Sequence, residues 1–250
     1  MSFTIPAPDF SGAFLFSSNV FPVHSANGVF LPKKGLLITF EGIDGSGKTT
    51  QASRLAAFLG QDRATLTKEP GGTPVGKTLR SMLLDPDLSI DPKAELLLFL
   101  ADRAQHVQTL IRPHLEAGSI VIVDRFIDAT VAYQGFGLGH PLDLIASIHE
   151  KILEGMIPDR TFLFDIDPQK ARERIISRGD KKTSVENRPE EFFQRVRNGY
   201  LLTAKEQPGR FRVIDALLPQ DEIARIILAD LESLDMSLMG NPPVRESSSC

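Results

Sequence analysis

The chain is nearly free of cysteine. Its single cysteine is Cys250, which excludes a disulfide or a cysteine-ligated zinc cluster within one chain. Such a composition is typical of a reducing compartment, and we expect a cytoplasmic location. The five histidines show no metal-ligand spacing, so we expect them to be surface or core residues.

An excess of charge of either sign is also missing. The chain has 28 Lys and Arg against 32 Asp and Glu, for a net charge of −4. No overall basic field therefore directs it to nucleic acid or to anionic lipid. No apolar run has the length of a membrane span. We expect neither nucleic acid nor a membrane among its partners.

The two ends of the chain lack the pattern of a folded domain. Residues 1–32 contain no lysine or arginine and one acidic residue, Asp9, which fits neither a secretory signal nor a transit peptide. We expect a poorly ordered extension over residues 1–34 and a flexible tail over residues 235–250. The folded domain is then predicted to span residues 35–234.

Within that domain, short apolar runs alternate with helical patterns. The predicted strands are Leu36–Phe40, Ala64–Thr67, Ile120–Val123, Thr161–Ile166 and Phe211–Ile214. The predicted helices are Lys48–Leu59, Val75–Leu84, Pro92–Ala117, Leu142–Glu154, Pro168–Ser177, Pro189–Lys205 and Gln220–Leu234. This alternation predicts an α/β fold, with a parallel sheet covered by helices on both faces. Ligands of such sheets bind beyond the carboxyl ends of the strands.

A phosphate-binding loop follows the first predicted strand. Residues 42–49 match the pattern Gly-x-x-x-x-Gly-Lys-[Ser/Thr], between a strand and a helix. Its glycines let backbone N–H groups curl around phosphate, Lys48 reaches the β- and γ-phosphates, and Thr49 can ligate Mg²⁺. The predicted ATP-binding residues are Gly42, Ile43, Asp44, Gly45, Ser46, Gly47, Lys48, Thr49 and Thr50.

The third predicted strand ends in Asp124-Arg125. An apolar strand ending in Asp beside a P-loop is typical of a Mg²⁺-holding carboxylate, so Asp124 and Thr49 are the predicted metal residues. Arg125 stands where motor-type ATPases place Glu, and no Asn-Lys-x-Asp guanine motif is present. These features favour transfer to an anionic acceptor over hydrolysis, because two phosphates in one cleft need neutralising charge.

A mobile cover that excludes water is expected for such a transfer. The stretch from about residue 172 to residue 190 is rich in Lys and Arg around Gly179, and we interpret it as a small lid.

Several motifs together resemble the thymidylate kinase family, of the bacterial type. They are residues 40–50, Glu69-Pro-Gly-Gly-Thr73, Asp124-Arg125, Tyr133-Gln-Gly135, Phe99 with Arg103, and residues 193–200. The resemblance covers about residues 36–234. It implies ATP-dependent phosphorylation of dTMP to dTDP, Mg²⁺, a homodimer, and a P-loop α/β/α fold with a five-stranded parallel sheet.

The resemblance also implies roles for individual residues. Phe99 stacks on thymine and Arg103 bonds a base carbonyl, and their i, i+4 spacing places both on one helix face. The remaining acceptor-binding residues are Glu41, Arg80, Arg125, Thr130 and Gln134. The implied catalytic residues are Lys48, Arg125, Asp44 and Arg178.

Two positions depart from the family pattern. Some members carry an arginine in the P-loop where this chain has Gly45, and bacterial lids commonly have one where this chain has Ser184. Arg174, Arg178, Lys181, Lys182 or Arg188 must then supply the lid cation, with Arg178 preferred. A kinase for a related small acceptor and a nucleotide-binding protein without catalysis remain as alternatives.

Overall fold

A computed structural model of the chain describes residues 35–179 and 183–234. The predicted extension over residues 1–34 and the predicted tail over residues 235–250 lie outside the described residues. Residues 180–182 of the predicted lid lie outside them as well.

Five strands build one parallel sheet. They are β1 (Leu37–Glu41), β2 (Ala64–Lys68), β3 (Ile120–Asp124), β4 (Arg160–Asp165) and β5 (Phe211–Asp215). Their order is β2-β3-β1-β4-β5, and every pairing is parallel. Phe40 of β1 is in register with Asp124 of β3 and with Phe162 of β4. The strand order reverses at β1, and this is the point where open α/β sheets bind ligands.

Helices connect the strands. They are α1 (Lys48–Leu59), α2 (Pro74–Leu83), α3 (Pro92–His106), α4 (Arg112–Glu116), α5 (Ile127–Thr130), α6 (Leu142–Leu153), α7 (Pro168–Arg178), α8 (Glu190–Glu206) and α9 (Gln220–Leu234). Two π-helical segments, Val107–Ile111 and Val131–Gly137, continue α3 into α4 and extend α5. No helix in the described part of the chain is long and apolar enough to cross a membrane.

Alternating strand residues supply two separate apolar cores. Ile38 and Phe40 belong to the cluster that includes buried residues of α1, α8 and α9. Leu37, Val121 and Val123 belong to a second cluster with the α3–α4 helix and Phe126. Since successive strand residues point to opposite faces, the sheet is covered on both sides. The predicted three-layer α/β/α fold with a five-stranded parallel sheet is confirmed.

The sequence prediction and the structure differ mainly in two helical regions. The predicted helix Pro92–Ala117 is continuous but contains the π-helical segment Val107–Ile111. The helical stretch from Ile127 to Gly137 was missed, because its threonine, valine and glycine residues are poor helix formers. Acidic residues cap the starts of α3 and α7: Asp91 accepts from the Lys93 N–H at 2.9 Å and Asp167 from the Gln169 N–H at 3.0 Å.

Candidate active site

The predicted P-loop connects the carboxyl end of β1 to the first turn of α1. Gly42, Gly45 and Gly47 have φ of 137°, 85° and 92°, in the region that side chains disfavour. A Cβ on Gly45 would lie 2.4 Å from the Ala171 carbonyl oxygen, and one on Gly42 would lie 2.6 Å from that of Phe164. Neighbouring backbone therefore leaves no room for a side chain at Gly42 or Gly45.

Lys48 and Asp44 form the charged pair of this loop. Lys48 Nζ lies 3.5 Å from Asp44 Oδ1 and 3.5 Å from the Ile43 carbonyl oxygen. Burial lowers the pKa of Lys48, with a further contribution from Arg125, while Asp44 and Asp124 oppose the shift. Burial works to raise the pKa of Asp44, but the charges of Arg125 and Lys48 outweigh it and hold that pKa below its usual range. Asp44 is therefore a carboxylate at neutral pH.

Thr49 and Asp124 meet across the space between α1 and β3. The Thr49 hydroxyl donates to Asp124 Oδ2 at 2.5 Å. The other carboxylate oxygen, Asp124 Oδ1, is buried and has no hydrogen-bond partner among the described residues. An oxygen-rich pair with one uncommitted carboxylate oxygen suits Mg²⁺, which is commonly held by one or two carboxylates together with substrate phosphates.

Arg125 lies between the P-loop and the neighbouring cavity. Its φ is 70°, a left-handed conformation that is uncommon for any residue except glycine. Nη1 donates to the Gly42 carbonyl at 2.9 Å, and Nη2 donates to Asp44 Oδ1 at 2.8 Å and to the Tyr133 hydroxyl at 3.1 Å. These contacts fix the guanidinium beside the loop in spite of the backbone strain.

Glu41 and Tyr200 form a buried hydrogen-bonded pair next to Arg125. The Tyr200 hydroxyl donates to Glu41 Oε2 at 2.7 Å and lies 3.4 Å from Arg125 Nη1. Glu41 Oε1 accepts from the Phe126 N–H at 2.7 Å. Burial and the nearby Asp128 raise the pKa of Glu41 to about 7. Glu41 is fully buried and is not part of the cavity wall, so its predicted contact with substrate has no support in the structure.

A cavity of about 150 Å³ opens next to Arg125. It brings together most of the predicted acceptor residues with groups from the lid side. Its lining includes Asp44, Arg80, Phe99, Arg103, Arg125, Thr130, Gln134, Thr183, Val185 and Glu186. A lining with three arginines, an aromatic ring and polar groups suits an anionic aromatic ligand such as a nucleotide.

Arg103 lines this cavity and is almost fully buried. Its Nε donates to Glu69 Oε2 at 2.8 Å, and its Nη1 to the Thr130 hydroxyl and to His149 Nε2, both at 2.7 Å. Its Nη2 donates to the Phe126 carbonyl at 2.8 Å. Burial and the charge of Arg103 lower the pKa of His149 well below its ordinary value, so that imidazole is neutral and accepts the bond. Arg103 is therefore held by buried polar groups from several segments and is not a surface residue.

Arg80 approaches the cavity from α2. Its Nη1 donates to the Pro70 carbonyl at 2.8 Å, in the turn that follows β2. The residue is partly exposed. The guanidinium thus keeps donors available to a ligand, as a phosphate-binding arginine requires.

The lid side is docked onto the end of α2. The Ser184 hydroxyl donates to the Leu83 carbonyl at 2.6 Å, and the Ser184 N–H donates to the Leu84 carbonyl at 3.3 Å. These bonds satisfy carbonyls that the end of a helix leaves open. Ser184 therefore attaches this part of the predicted lid to the end of α2.

The candidate lid cations occupy different places. Arg174 Nη2 donates to the Ala216 carbonyl at 3.0 Å, and its Nη1 lies 3.5 Å from the P-loop carbonyl of Gly45. Arg178 is exposed at the end of α7, and its Nε lies 3.4 Å from the Arg174 carbonyl. Arg188 pairs with Glu95, away from the P-loop. Lys181 and Lys182 lie outside the described residues. The structure thus brings Arg174, and not the preferred Arg178, to the loop.

Sequence reasoning gave no role to several residues of the site. Glu69, Tyr133, Tyr200 and Glu95 support Arg103, Arg125 and Gln134. Glu69 and Tyr133 belong to the quoted Glu-Pro-Gly-Gly-Thr and Tyr-Gln-Gly motifs, so the motifs themselves contained a signal. Tyr200 lies in the quoted stretch 193–200, but its hydroxyl contacts with Glu41 and Arg125 follow only from the fold.

A P-loop at the switch point of a parallel sheet, a Thr–Asp pair suited to Mg²⁺ and an arginine-lined cavity define a P-loop nucleotide kinase. Comparison with known proteins agrees. A model of the thymidylate kinase family matches residues 40–227. The thymidylate kinase of Chlorobium chlorochromatii is 45% identical over 210 residues, covering 79% of this chain and 95% of that protein.

Further relatives give the same result. The thymidylate kinase of Halothermothrix orenii is 46% identical over 198 residues, covering 78% of this chain and 95% of that protein. A crystal structure of thymidylate kinase from Ehrlichia chaffeensis matches with a TM-score of 0.66 and 36% identity, covering 79% of this chain and 98% of that one. The chain belongs to the thymidylate kinase family. The predicted reaction, ATP-dependent phosphorylation of dTMP to dTDP, is confirmed at the level of the family.

Proposed function

We propose that this chain transfers the γ-phosphoryl group of ATP to dTMP across the gap between its P-loop and the adjoining cavity. The observation that carries this proposal is the position of Arg125. Its guanidinium bonds the P-loop at Gly42 and Asp44 and also lines the cavity. One fixed cation therefore lies where a donor and an acceptor phosphate would meet.

The donor side is the P-loop. Residues 42–50 hold the phosphates of ATP through backbone N–H groups at the start of α1, and Lys48 neutralises the β- and γ-phosphates. In the transfer, a phosphate oxygen of dTMP forms a bond to the γ-phosphorus while the bond from that phosphorus to the β-phosphate oxygen breaks, giving dTDP and ADP. The acceptor oxygen of a phosphate dianion carries no proton, so no general base is needed.

The acceptor side is the cavity. Arg80 and Arg125 hold the phosphate of dTMP, and Phe99 stacks on the thymine ring. Arg103, Thr130 and Gln134 contact the polar edge of the base. Support comes from the cavity lining, in which all six residues take part.

Mg²⁺ is the metal that this site fits. Thr49 and Asp124 would hold it, and the uncommitted Asp124 Oδ1 is the observation in favour. When bound, Mg²⁺ supplies charge that neutralises the β- and γ-phosphates during transfer.

For the lid cation, Arg174 has more support than Arg178, since it lies beside the Gly45 carbonyl in the P-loop. We expect Arg174→Ala to lower kcat for dTMP at least tenfold more than Arg178→Ala. Equal effects of the two substitutions would count against this assignment.

A homodimer and a cytoplasmic location complete the proposal. Leu97 on α3 and Leu144 on α6 are exposed apolar residues that a partner subunit could cover. Size-exclusion chromatography with light scattering tests the dimer: a monomer at micromolar concentration would contradict it.

The test of the reaction is ADP release by the purified protein with ATP and Mg²⁺, comparing dTMP, dUMP, dCMP, AMP, thymidine and no acceptor. We expect release that requires dTMP and is absent with thymidine, because the two arginines need an acceptor phosphate. Release without any acceptor would indicate an ATPase. ATP binding without release for any acceptor would indicate a binding protein.

A further inference from the structure

Glu95 occupies a position between the base end of the cavity and the lid side. It lies on α3, one helical turn before Phe99, and is 8% exposed. Its Oε1 accepts from Gln134 Nε2 at 3.1 Å, and its Oε2 pairs with Arg188 Nη2. The carboxylate therefore has one contact to a cavity residue and one to Arg188, near the end of the predicted lid.

The carboxylate determines which way the Gln134 amide faces. An ionised carboxylate only accepts hydrogen bonds, whereas an amide has one donating and one accepting end. The NH2 group of Gln134 must therefore point to Glu95, which leaves its carbonyl oxygen as the end available to a ligand. Gln134 is 3% exposed and lines the cavity, so a ligand base is the group that this oxygen can meet.

Arg103 supplies the opposite polarity in the same cavity. Of its five N–H groups, one bonds Glu69, two bond Thr130 and His149, and one bonds the Phe126 carbonyl. One N–H on Nη2 is not used within the described residues. The base end of the cavity thus presents a donor from Arg103 and an acceptor from Gln134. Thymine and uracil offer the matching N3–H and O4, whereas cytosine offers an acceptor at N3 and an amine at C4.

We propose that Glu95 is a positioning residue that fixes the Gln134 amide with its carbonyl toward the base, and so makes the site prefer a 4-keto over a 4-amino pyrimidine nucleotide. This inference rests on the proposed function, because it takes the cavity as the site of the acceptor base. Arg188 holds Glu95 from the other side, with its guanidinium 4.7 Å above the Phe192 ring. The carboxylate is therefore confined, and the amide it orients is confined with it.

The test measures the dissociation constants of dUMP and dCMP by calorimetry without ATP, alongside kcat and KM for both. These two nucleotides differ only in the polarity of the base edge. Glu95→Gln keeps the shape but lets residue 95 donate to the Gln134 carbonyl, which frees the amide to turn. We expect the ratio of dCMP to dUMP dissociation constants to fall about tenfold, the size of one hydrogen bond to a positioned group. The exposed Glu150→Gln is the matched control and should leave the ratio unchanged.

A double substitution separates the positioning role of Glu95 from a non-specific disturbance of the site. In a Gln134→Leu background there is no amide to orient, so Glu95→Gln should have no further effect on the ratio. Gln134→Leu alone should lower the ratio about tenfold, which keeps the test open if Glu95→Gln does not fold.

Three results would overturn the proposal: equal binding of the two nucleotides by the original chain, an unchanged ratio in Gln134→Leu, or equal weakening of both nucleotides in a folded Glu95→Gln variant. Because binding is measured without ATP, a failure of the kinase reaction would be seen separately, as absent turnover with dTMP.

Discussion

Replacing Arg125 by either alanine or glycine separates its role in the reaction from its role in the fold. Its left-handed φ of 70° costs a residue with a side chain about 1–2 kcal/mol. Glycine removes that cost, but its greater conformational freedom in the unfolded chain lowers the gain in stability by about 0.5–1 kcal/mol. From the midpoints of these two ranges, we therefore expect Arg125→Gly to be about 0.8 kcal/mol more stable than Arg125→Ala. For a domain of this size, 1 kcal/mol corresponds to a difference in Tm of about 2–4 °C.

Both variants lose the same guanidinium, so their activities should fall together. Charge-assisted hydrogen bonds contribute about 1.5–3 kcal/mol each, and two such bonds to the acceptor phosphate predict a decrease in kcat/KM for dTMP of roughly 10²- to 10⁴-fold. The assays are thermal unfolding and coupled ADP release. If the alanine variant is as stable as the glycine variant, the backbone strain at Arg125 is refuted. If the affinity for ATP falls as much as the affinity for dTMP, the assignment of Arg125 to the acceptor is refuted.

Three further substitutions test the remaining site residues. Lys48→Ala should reduce phosphoryl transfer below detection in the ADP-release assay, while calorimetry should still show dTMP binding, because the lysine serves the donor phosphates alone. Asp124→Asn should raise the Mg²⁺ concentration needed for half-maximal rate at least tenfold, measured by titration with excess ATP, and an unchanged requirement would exclude Asp124 as a ligand. Glu41→Gln should flatten the dependence of stability on pH. The pKa of Glu41 is raised to about 7 in the folded chain from 4.5, so the unfolded chain loses this proton first and stability falls as pH rises from about 4.5 to 7, by roughly 3 kcal/mol. Urea unfolding of the original chain and of Glu41→Gln between pH 4.5 and 7 measures this effect. The same dependence of unfolding free energy on pH in both proteins would contradict the role of Glu41.

Local signals were enough to predict the fold and the P-loop. The spacing of residues 42–49 determines a loop whose geometry depends on its own glycines and on the helix that follows. The roles of Phe99 and Arg103 came from the resemblance to the family, and their i, i+4 spacing agrees with it because it places both on the same helix face. The positions of the strands along the chain and the bounds of most helices follow from the same kind of periodic pattern, whereas the order of the strands within the sheet was not predicted.

Contacts between distant segments were not predictable in this way. Glu41 and Tyr200 are 159 residues apart, and Glu95 and Arg188 are 93 apart, so only the packed fold brings each pair together. Arg174 and Arg178 share one face of α7, and sequence spacing alone cannot tell which of them reaches the P-loop. That choice depends on where α7 ends relative to the loop, a tertiary feature.

The supporting residues explain why a strained arginine can be retained beside the proposed phosphate site. Arg125 has partners on three sides, with Gly42 and Asp44 in the P-loop and the Tyr133 hydroxyl toward the cavity. A conformation that costs about 1–2 kcal/mol is maintained when several charge-assisted bonds each return a comparable amount. Since Asp44 also pairs with Lys48, the loop lysine and the cavity arginine share one carboxylate. Before substrates bind, the Asp44 carboxylate holds Lys48 and Arg125 in place, which reduces the reorganisation needed during transfer. Phosphates bound on either side would then compete with Asp44 for these two cations.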